Sequence, residues 1–295
     1  MVRHLNFNFI PMMSFSLSQS PPLPIENLQQ RIQQLLALPN GLTLSPNNLQ
    51  RMVSLMDLTS LNSSDTEQSI SLLCQKALQP SLTVHALPQV AAVCIYPQHL
   101  GTAIKLLHAS PVRVATVAGG FPLGNSATAQ KLSEVKEALQ WGADEIDMVL
   151  NRDLLLSGEY MQVHDDIAAI KACCGPIPLK VILETGALPT FELVRLASQI
   201  AIAAGADFIK TSTGKIAQGA SLEAVLVMLD AIKEEYARSG KKIGLKPSGG
   251  ISNAKSAIDY LKLTQHILGP EWLQPNLFRF GASSLLVDVL RELGE

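Results

Sequence analysis

Asp207-Phe208-Ile209-Lys210-Thr211-Ser212-Thr213-Gly214, a helical run over 221–238, and then Lys242-Ile243-Gly244-Leu245-Lys246-Pro247-Ser248-Gly249-Gly250 make one strand–helix–strand unit. The flanking runs are short and apolar and end at glycines, whereas the run between them repeats its apolar side chains at i, i+3 and i+4. A helical crossover joins parallel strands. Each strand ends on a lysine at the matching place, Lys210 and Lys246. Burying a lysine there is costly. Amine chemistry accounts for both at once, because a partly dry pocket and a neighbouring cation each favour the neutral amine, which can attack a carbonyl.

Outward from this unit the rhythm repeats. Further strand candidates lie at 55–58, 90–95, 112–117, 145–150, 179–183 and 277–281, which with 207–211 and 242–246 makes eight. Helical patterns follow them at about 65–78, 99–108, 126–141, 158–173, 190–204, 253–268 and 284–293. This alternation predicts an α/β fold with a parallel sheet, and eight units in succession predict a single TIM (β/α)8 barrel. A doubly wound open sheet fits less well. No Gly-x-Gly-x-x-Gly follows the first strand, and polar residues end most of the strands instead of clustering at one crossover. Before the barrel, Ile25, Leu28, Ile32, Leu35 and Leu36 mark a helix over 25–38 that Pro39-Asn40-Gly41 stops. The expected organisation is a leader at 1–45, partly disordered with this one helix, and a barrel at 46–295.

The composition narrows the class of function. Of 295 residues, 47% are hydrophobic and 16% charged, enough for one large core, and the net charge of −2 offers no broad footprint for nucleic acid or an anionic membrane. The apolar stretches are broken well short of a membrane span. Cys74, Cys94, Cys173 and Cys174 show neither a zinc-ligand spacing nor a disulfide framework, which favours a reducing cytoplasm and no metal. Residues 1–25 carry Arg3 and His4, no acid and many serines, but they lack a compact apolar stretch and an amphipathic period. They read as a leader, or as sequence ahead of a later start at Met12 or Met13, in preference to a targeting peptide.

Barrel enzymes place their sites at the carboxyl ends of the strands. Those ends read Asp57, Cys94-Ile95-Tyr96, Gly119-Gly120, Asp147 with Asn151, Lys180 with Glu184, Lys210, Lys246 and Ser283-Ser284. Strand residues alternate in facing. Ile146, Met148 and Leu150 form a wholly apolar face, so Asp147 points into the barrel, and the same test turns Lys180 and Glu184, Lys210, and Lys246 inward. One inward ion pair, such as Lys180 with Asp147, suits a structural role equally well. Two carboxylates and three lysines at corresponding depths suit chemistry better. Cys94 reads as a small packing residue, and His85, His99, His108, His164 and His266 as surface or packing residues without a ligand spacing. Thr213-Gly214-Lys215, Ser248-Gly249-Gly250 and Gly281-Ala282-Ser283-Ser284 bring small residues with available backbone N–H groups to three adjacent loops. Any one of them is an ordinary tight turn; together they favour a phosphate site.

These motifs resemble the deoxyribose-phosphate aldolase family. The resemblance is carried by Ala143-Asp144-Glu145-Ile146-Asp147-Met148-Val149, Leu179-Lys180-Val181-Ile182-Leu183-Glu184-Thr185-Gly186, Gly205 to Lys215, Leu245-Lys246-Pro247-Ser248-Gly249-Gly250 and Arg279-Phe280-Gly281-Ala282-Ser283-Ser284. It extends upstream through Met56-Asp57-Leu58-Thr59-Ser60-Leu61 and Val93-Cys94-Ile95-Tyr96-Pro97. It implies a class I aldolase without cofactor that interconverts 2-deoxy-D-ribose 5-phosphate with acetaldehyde and D-glyceraldehyde 3-phosphate. Lys210 would then carry the Schiff base, Lys246 would be the neighbouring cation, Asp147 would serve proton transfers with a water, and Lys180 would order that network. Thr213, Gly214, Lys215, Gly249, Gly250, Ser283 and Ser284 would hold the phosphate, with Asp57 and Thr59 at the mouth near the substrate hydroxyls. A homodimer is expected by analogy. Some relatives end in a tail with a terminal tyrosine implicated in proton transfer. Here the sequence ends Arg291-Glu292-Leu293-Gly294-Glu295, which leaves enamine protonation to Asp147 and water, and Ser252 stands where a basic residue is common. The competing readings are a Schiff-base aldolase or transaldolase acting on a ketose phosphate, and a non-catalytic phosphate-binding barrel.

Overall fold

The computed structural model describes residues 22–84 and 86–295; the leader expectation for 1–21 and the reading of His85 lie outside them. Two helices come first, α1 (Ile25–Ala37) and α2 (Pro46–Ser54), and then the alternation begins. The strands are β1 (Met56–Thr59), β2 (Ala92–Ile95), β3 (Arg113–Ala118), β4 (Glu145–Val149), β5 (Leu179–Ile182), β6 (Phe208–Lys210), β7 (Gly244–Lys246) and β8 (Phe280–Ala282). Between and after them run α3 (Glu67–Leu78), α4 (Leu100–Leu107), α5 (Thr128–Gln140), α6 (Arg152–Leu156), α7 (Tyr160–Cys174), α8 (Phe191–Ala203), α9 (Leu222–Ser239), α10 (Ala254–Leu268) and α11 (Leu285–Glu292).

All seven ladders are parallel, in the order β7-β6-β5-β4-β3-β2-β1-β8. The remaining seam between β7 and β8 is closed by bridges at Leu245 with Phe278 and Ser248 with Gly281, and by Arg279 N–H donating to the Leu245 carbonyl at 3.0 Å. This is the expected TIM barrel. The helices start where short polar side chains can cap them: Thr66, Asn151, Thr190, Ser221 and Asn253 each accept a backbone N–H in the first turn of α3, α6, α8, α9 and α10. The outer ring buries Leu, Ile and Val against the strands, and a buried pair, Lys131 Nζ to Asp166 Oδ2 at 2.5 Å, pins α5 to α7.

Two helices escaped the pattern reading. α2 opens on Pro46-Asn47-Asn48, which looks like a loop by composition, but proline at the first helical position suits a start. α6 has 5 residues, less than the repeat needed to show a period. α1 lies on the outside of the barrel against α9 and α10. There Leu28 and Ile32 are buried, and the Arg31 guanidinium makes a forked pair with Asp230 at 2.5 and 2.7 Å.

Candidate active site

Register puts the charged residues on one inner face. Asp147 lies beside Lys180 across the β4–β5 ladder, and Lys210 beside Lys246 across β6–β7. Asp147 Oδ1 accepts from Lys180 Nζ at 2.8 Å, while its Oδ2 accepts from both Lys210 Nζ and Lys246 Nζ at 2.8 Å. Lys180 Nζ also pairs with Glu145 at 2.6 Å. Glu145 in turn accepts from the Arg279 guanidinium at 2.7 and 3.2 Å, and Arg279 donates to Asp57 at 2.5 Å. Asp57 Oδ2 lies 2.5 Å from Lys246 Nζ, an ion pair not aligned as a hydrogen bond.

These contacts form a closed ring: Asp147, Lys180, Glu145, Arg279, Asp57, Lys246 and back to Asp147. Three carboxylates alternate with three cations, so the ring is electrically balanced, and Lys210 hangs from Asp147 outside it. Burial opposes the charges of Asp57, Asp147, Lys180, Lys246 and Arg279, but the partners prevail. The ammonium groups of Lys180, Lys210 and Lys246 hold the Asp147 carboxyl well below the usual carboxylate range. Arg279, Lys246 and Lys180 do the same for Asp57. Conversely, Asp147 and Asp57 hold Lys246 above the usual lysine range, and Asp147 with Glu145 raises Lys180. Both lysines of the ring are therefore fixed ammonium groups.

Above the ring the strand ends open into a cleft of about 290 Å³. Lys210 reaches its floor; Lys246, Asp147 and Lys180 are fully buried beneath it. The loop after β6 brings Thr213, Gly214 and Lys215 to the wall, the loop after β7 brings Gly249 and Gly250, and the turn into α11 brings Ser283 and Ser284. Thr59, the last residue of β1, lines the rim. The backbone N–H groups of Gly214, Gly249, Gly250, Ser283 and Ser284 donate to no acceptor among the described residues, and the amino end of α11 adds its dipole. Gly249 and Gly250 hold φ of +80° and +77°, a region that glycine enters without strain. Gly281 makes room: a Cβ there would lie 2.6 Å from Ser248 Cβ and 3.1 Å from Lys246 Cε.

The two loops that flank Lys210 and Lys246 are locked together. Thr211 Oγ donates to the Ser248 carbonyl and accepts from the Ser248 N–H, both at 2.9 Å, and Ser248 Oγ donates to the Ser212 carbonyl at 2.6 Å. Lys215 Nζ donates to the Leu61 carbonyl and sits 5.7 Å from the centre of the Tyr96 ring, tying the β6 loop to the β1 side of the mouth.

Three sequence readings need correction. Asp57 does not line the mouth; it is 0% exposed, within the ring. Glu184 does not join the inward cluster. β5 ends at Ile182, Glu184 takes a left-handed φ of 55°, and its carboxylate accepts the Thr213 N–H at 3.1 Å and hydroxyl at 2.5 Å, so it supports the β6 loop instead. Arg279 and Glu145 were not singled out, although they complete the ring. The signal was available for Arg279, a full charge in Leu277-Phe278-Arg279-Phe280. Cys94 packs with Leu61, Ala115 and Val117 as expected of a small apolar residue, and its thiol also faces Asp147 Oδ2 at 3.8 Å.

Residues 51–286 match the model of the DeoC/LacD family aldolases. The human deoxyribose-phosphate aldolase is 44% identical over 255 residues, covering 83% of this chain and 80% of its own. Among solved structures, a putative deoxyribose-phosphate aldolase from Coccidioides immitis superposes with a TM-score of 0.71 at 31% identity, covering 91% of this chain and 98% of its own. The deoxyribose phosphate aldolase from Aeropyrum pernix, described as having a unique tetrameric structure, superposes with a TM-score of 0.66 at 25% identity, covering 92% and 98%.

Proposed function

This chain belongs to the DeoC/LacD family of aldolases, and we propose that it cleaves 2-deoxy-D-ribose 5-phosphate reversibly to D-glyceraldehyde 3-phosphate and acetaldehyde through a Schiff base on Lys210. One observation carries the choice of lysine. Lys210 reaches the cleft and contributes no charge that the ring needs, whereas Lys246 is held as an ammonium by two carboxylates below the floor.

The Lys210 amine adds to the C1 aldehyde of the open-chain sugar, and loss of water gives the iminium. The electron pair of the C2–C3 bond moves into that iminium while the C3 hydroxyl gives up its proton. Glyceraldehyde 3-phosphate leaves, and an enamine remains on Lys210. Protonation at C2 and hydrolysis release acetaldehyde and restore the amine. Lys246 stays a fixed cation beside the reacting nitrogen. Asp147 shares one oxygen between Lys210 and Lys246, which suits it to passing protons between Lys210 and a water in the cleft while Lys246 stays charged. With three cations around it, this carboxylate relays protons and does not store them. Lys180 fixes its other oxygen. The phosphate is held by the backbone of Gly214, Gly249, Gly250 and Ser284, the hydroxyls of Thr213 and Ser283, and Lys215, while Thr59 faces the sugar hydroxyls.

Acetaldehyde with cyanoborohydride is the test. Reduction should leave an ethyl group on the Lys210 peptide; labelling of another lysine, or of none, refutes the assignment. The enzyme is further proposed to be a cytoplasmic homodimer. In support, Cys74, Cys94, Cys173 and Cys174 are free thiols, and no helix among the described residues is long and apolar enough to cross a membrane. Sedimentation equilibrium separates the dimer from the tetramer described for one relative.

A further inference from the structure

Ser212 is the side chain on the cleft wall that neither the sequence motifs nor the ring explains. It is 0% exposed, and its hydroxyl has no hydrogen-bond partner among the described residues. Its backbone is satisfied: the carbonyl accepts from Ser248 Oγ, and the N–H donates to the same oxygen at 3.3 Å. A buried hydroxyl without a partner is expensive, and it is tolerated where a ligand completes it. The side chain lines the cleft two residues beyond Lys210. Its Cβ lies 3.5 Å from the point where a Cβ on Gly249 would stand, beside the uncommitted N–H groups of Gly249 and Gly250.

Building on the aldolase reading, we propose that Ser212 is a specificity-determining residue whose hydroxyl donates a hydrogen bond to the substrate phosphate. The backbone N–H groups supply fixed donors around a tetrahedral dianion, and Ser212 adds a donor from the Lys210 side of the cleft. It therefore ties the position of the phosphate to the strand that carries the reacting amine. The Thr211–Ser248 interlock holds that strand end in place, so the hydroxyl is aimed before the ligand arrives.

Ser212→Ala tests this with little structural cost, since both interlocking bonds at residue 212 run through the backbone. Inorganic phosphate is titrated by calorimetry into the parent and variant, and steady-state rates are taken on 2-deoxyribose 5-phosphate and on unphosphorylated 2-deoxyribose. The expected result is a phosphate affinity lower by about tenfold and a KM for the phosphorylated sugar raised by a similar factor, with a clearly smaller loss on 2-deoxyribose. Unchanged phosphate affinity overturns the proposal. So does an equal loss on both sugars, which would assign the hydroxyl to the sugar itself. If the parent turns over neither sugar, the aldolase reading fails, and the phosphate titration still decides the role of Ser212.

Discussion

Replacing Arg279 with methionine removes the cation that bridges the two halves of the buried ring while keeping an apolar stem of similar length. Asp57 loses its 2.5 Å partner and Glu145 loses contacts at 2.7 and 3.2 Å, all at positions no more than 4% exposed. Breaking a buried pair from one side typically costs about 3–5 kcal/mol, because the remaining charge stays out of water. In a chain of this size each kcal/mol lowers Tm by about 2 °C, so Arg279→Met should melt roughly 6–10 °C below the parent in scanning calorimetry. The loss should shrink on acidification. Burial raises the Asp57 pKa, but Arg279 with Lys246 and Lys180 outweighs it and holds it depressed, so this contribution is present above the unfolded carboxylate value and is lost as pH falls through the folded one; protonation then removes the unpaired charge that Arg279→Met leaves behind. Adding Glu145→Gln to Arg279→Met should cost less than the sum of the two single changes. A melting point within about 2 °C of the parent, or strict additivity in the cycle, would refute the ring as an energetic unit.

Lys210→Leu should behave in the opposite way. Because the ring is balanced without it, the variant should melt within about 2 °C of the parent and yet give no acetaldehyde adduct; a large loss of stability would show that the ring needs Lys210. Lys246→Leu removes the fixed neighbouring cation, so turnover at neutral pH should fall at least tenfold, on the order of 1.4 kcal/mol; an unchanged rate sinks the role given to Lys246. Gly281→Ala drives a methyl into Ser248 and the Lys246 stem, so turnover should fall by more than tenfold, on the order of 1.4 kcal/mol, with helix content by circular dichroism retained. Unfolding free energy measured against pH should hold level above about pH 4 and drop below it as Asp147 and Asp57 take up protons, and Asp147→Asn should flatten that drop.

Much of the barrel is legible in the sequence because parallel strands buried on both faces read as short apolar runs, and a charge inside such a run stands out. Lys180, Lys210, Lys246 and Asp147 announce themselves this way. Arg279 carries the same mark in Leu277-Phe278-Arg279-Phe280, but it stands next to the Gly281–Ser284 turn, whose small residues read as a phosphate loop. Alternation assigns a facing only while the strand lasts: it holds for Asp147, inside β4, and fails for Glu184, two residues past the end of β5. Position along a strand also does not give depth. Rank in β1 puts Asp57 at the rim, but the Arg279 guanidinium, from just ahead of β8, pairs with it in the floor, a contact 222 residues distant in sequence.

The balanced ring beneath the cleft also bears on how the site responds when charge appears. In water, a newly formed iminium is stabilised only after surrounding molecules rotate, and that rotation is part of the barrier. Here the groups facing Lys210 are already oriented by partners of opposite sign and pinned to β-strands, so little reorientation remains for the iminium proposed there. The barrel floor acts as a solvent whose molecules have been covalently fixed in their final orientation. Under that proposal the stability spent on burying six charges is recovered as a lower reorganisation cost at a single amine.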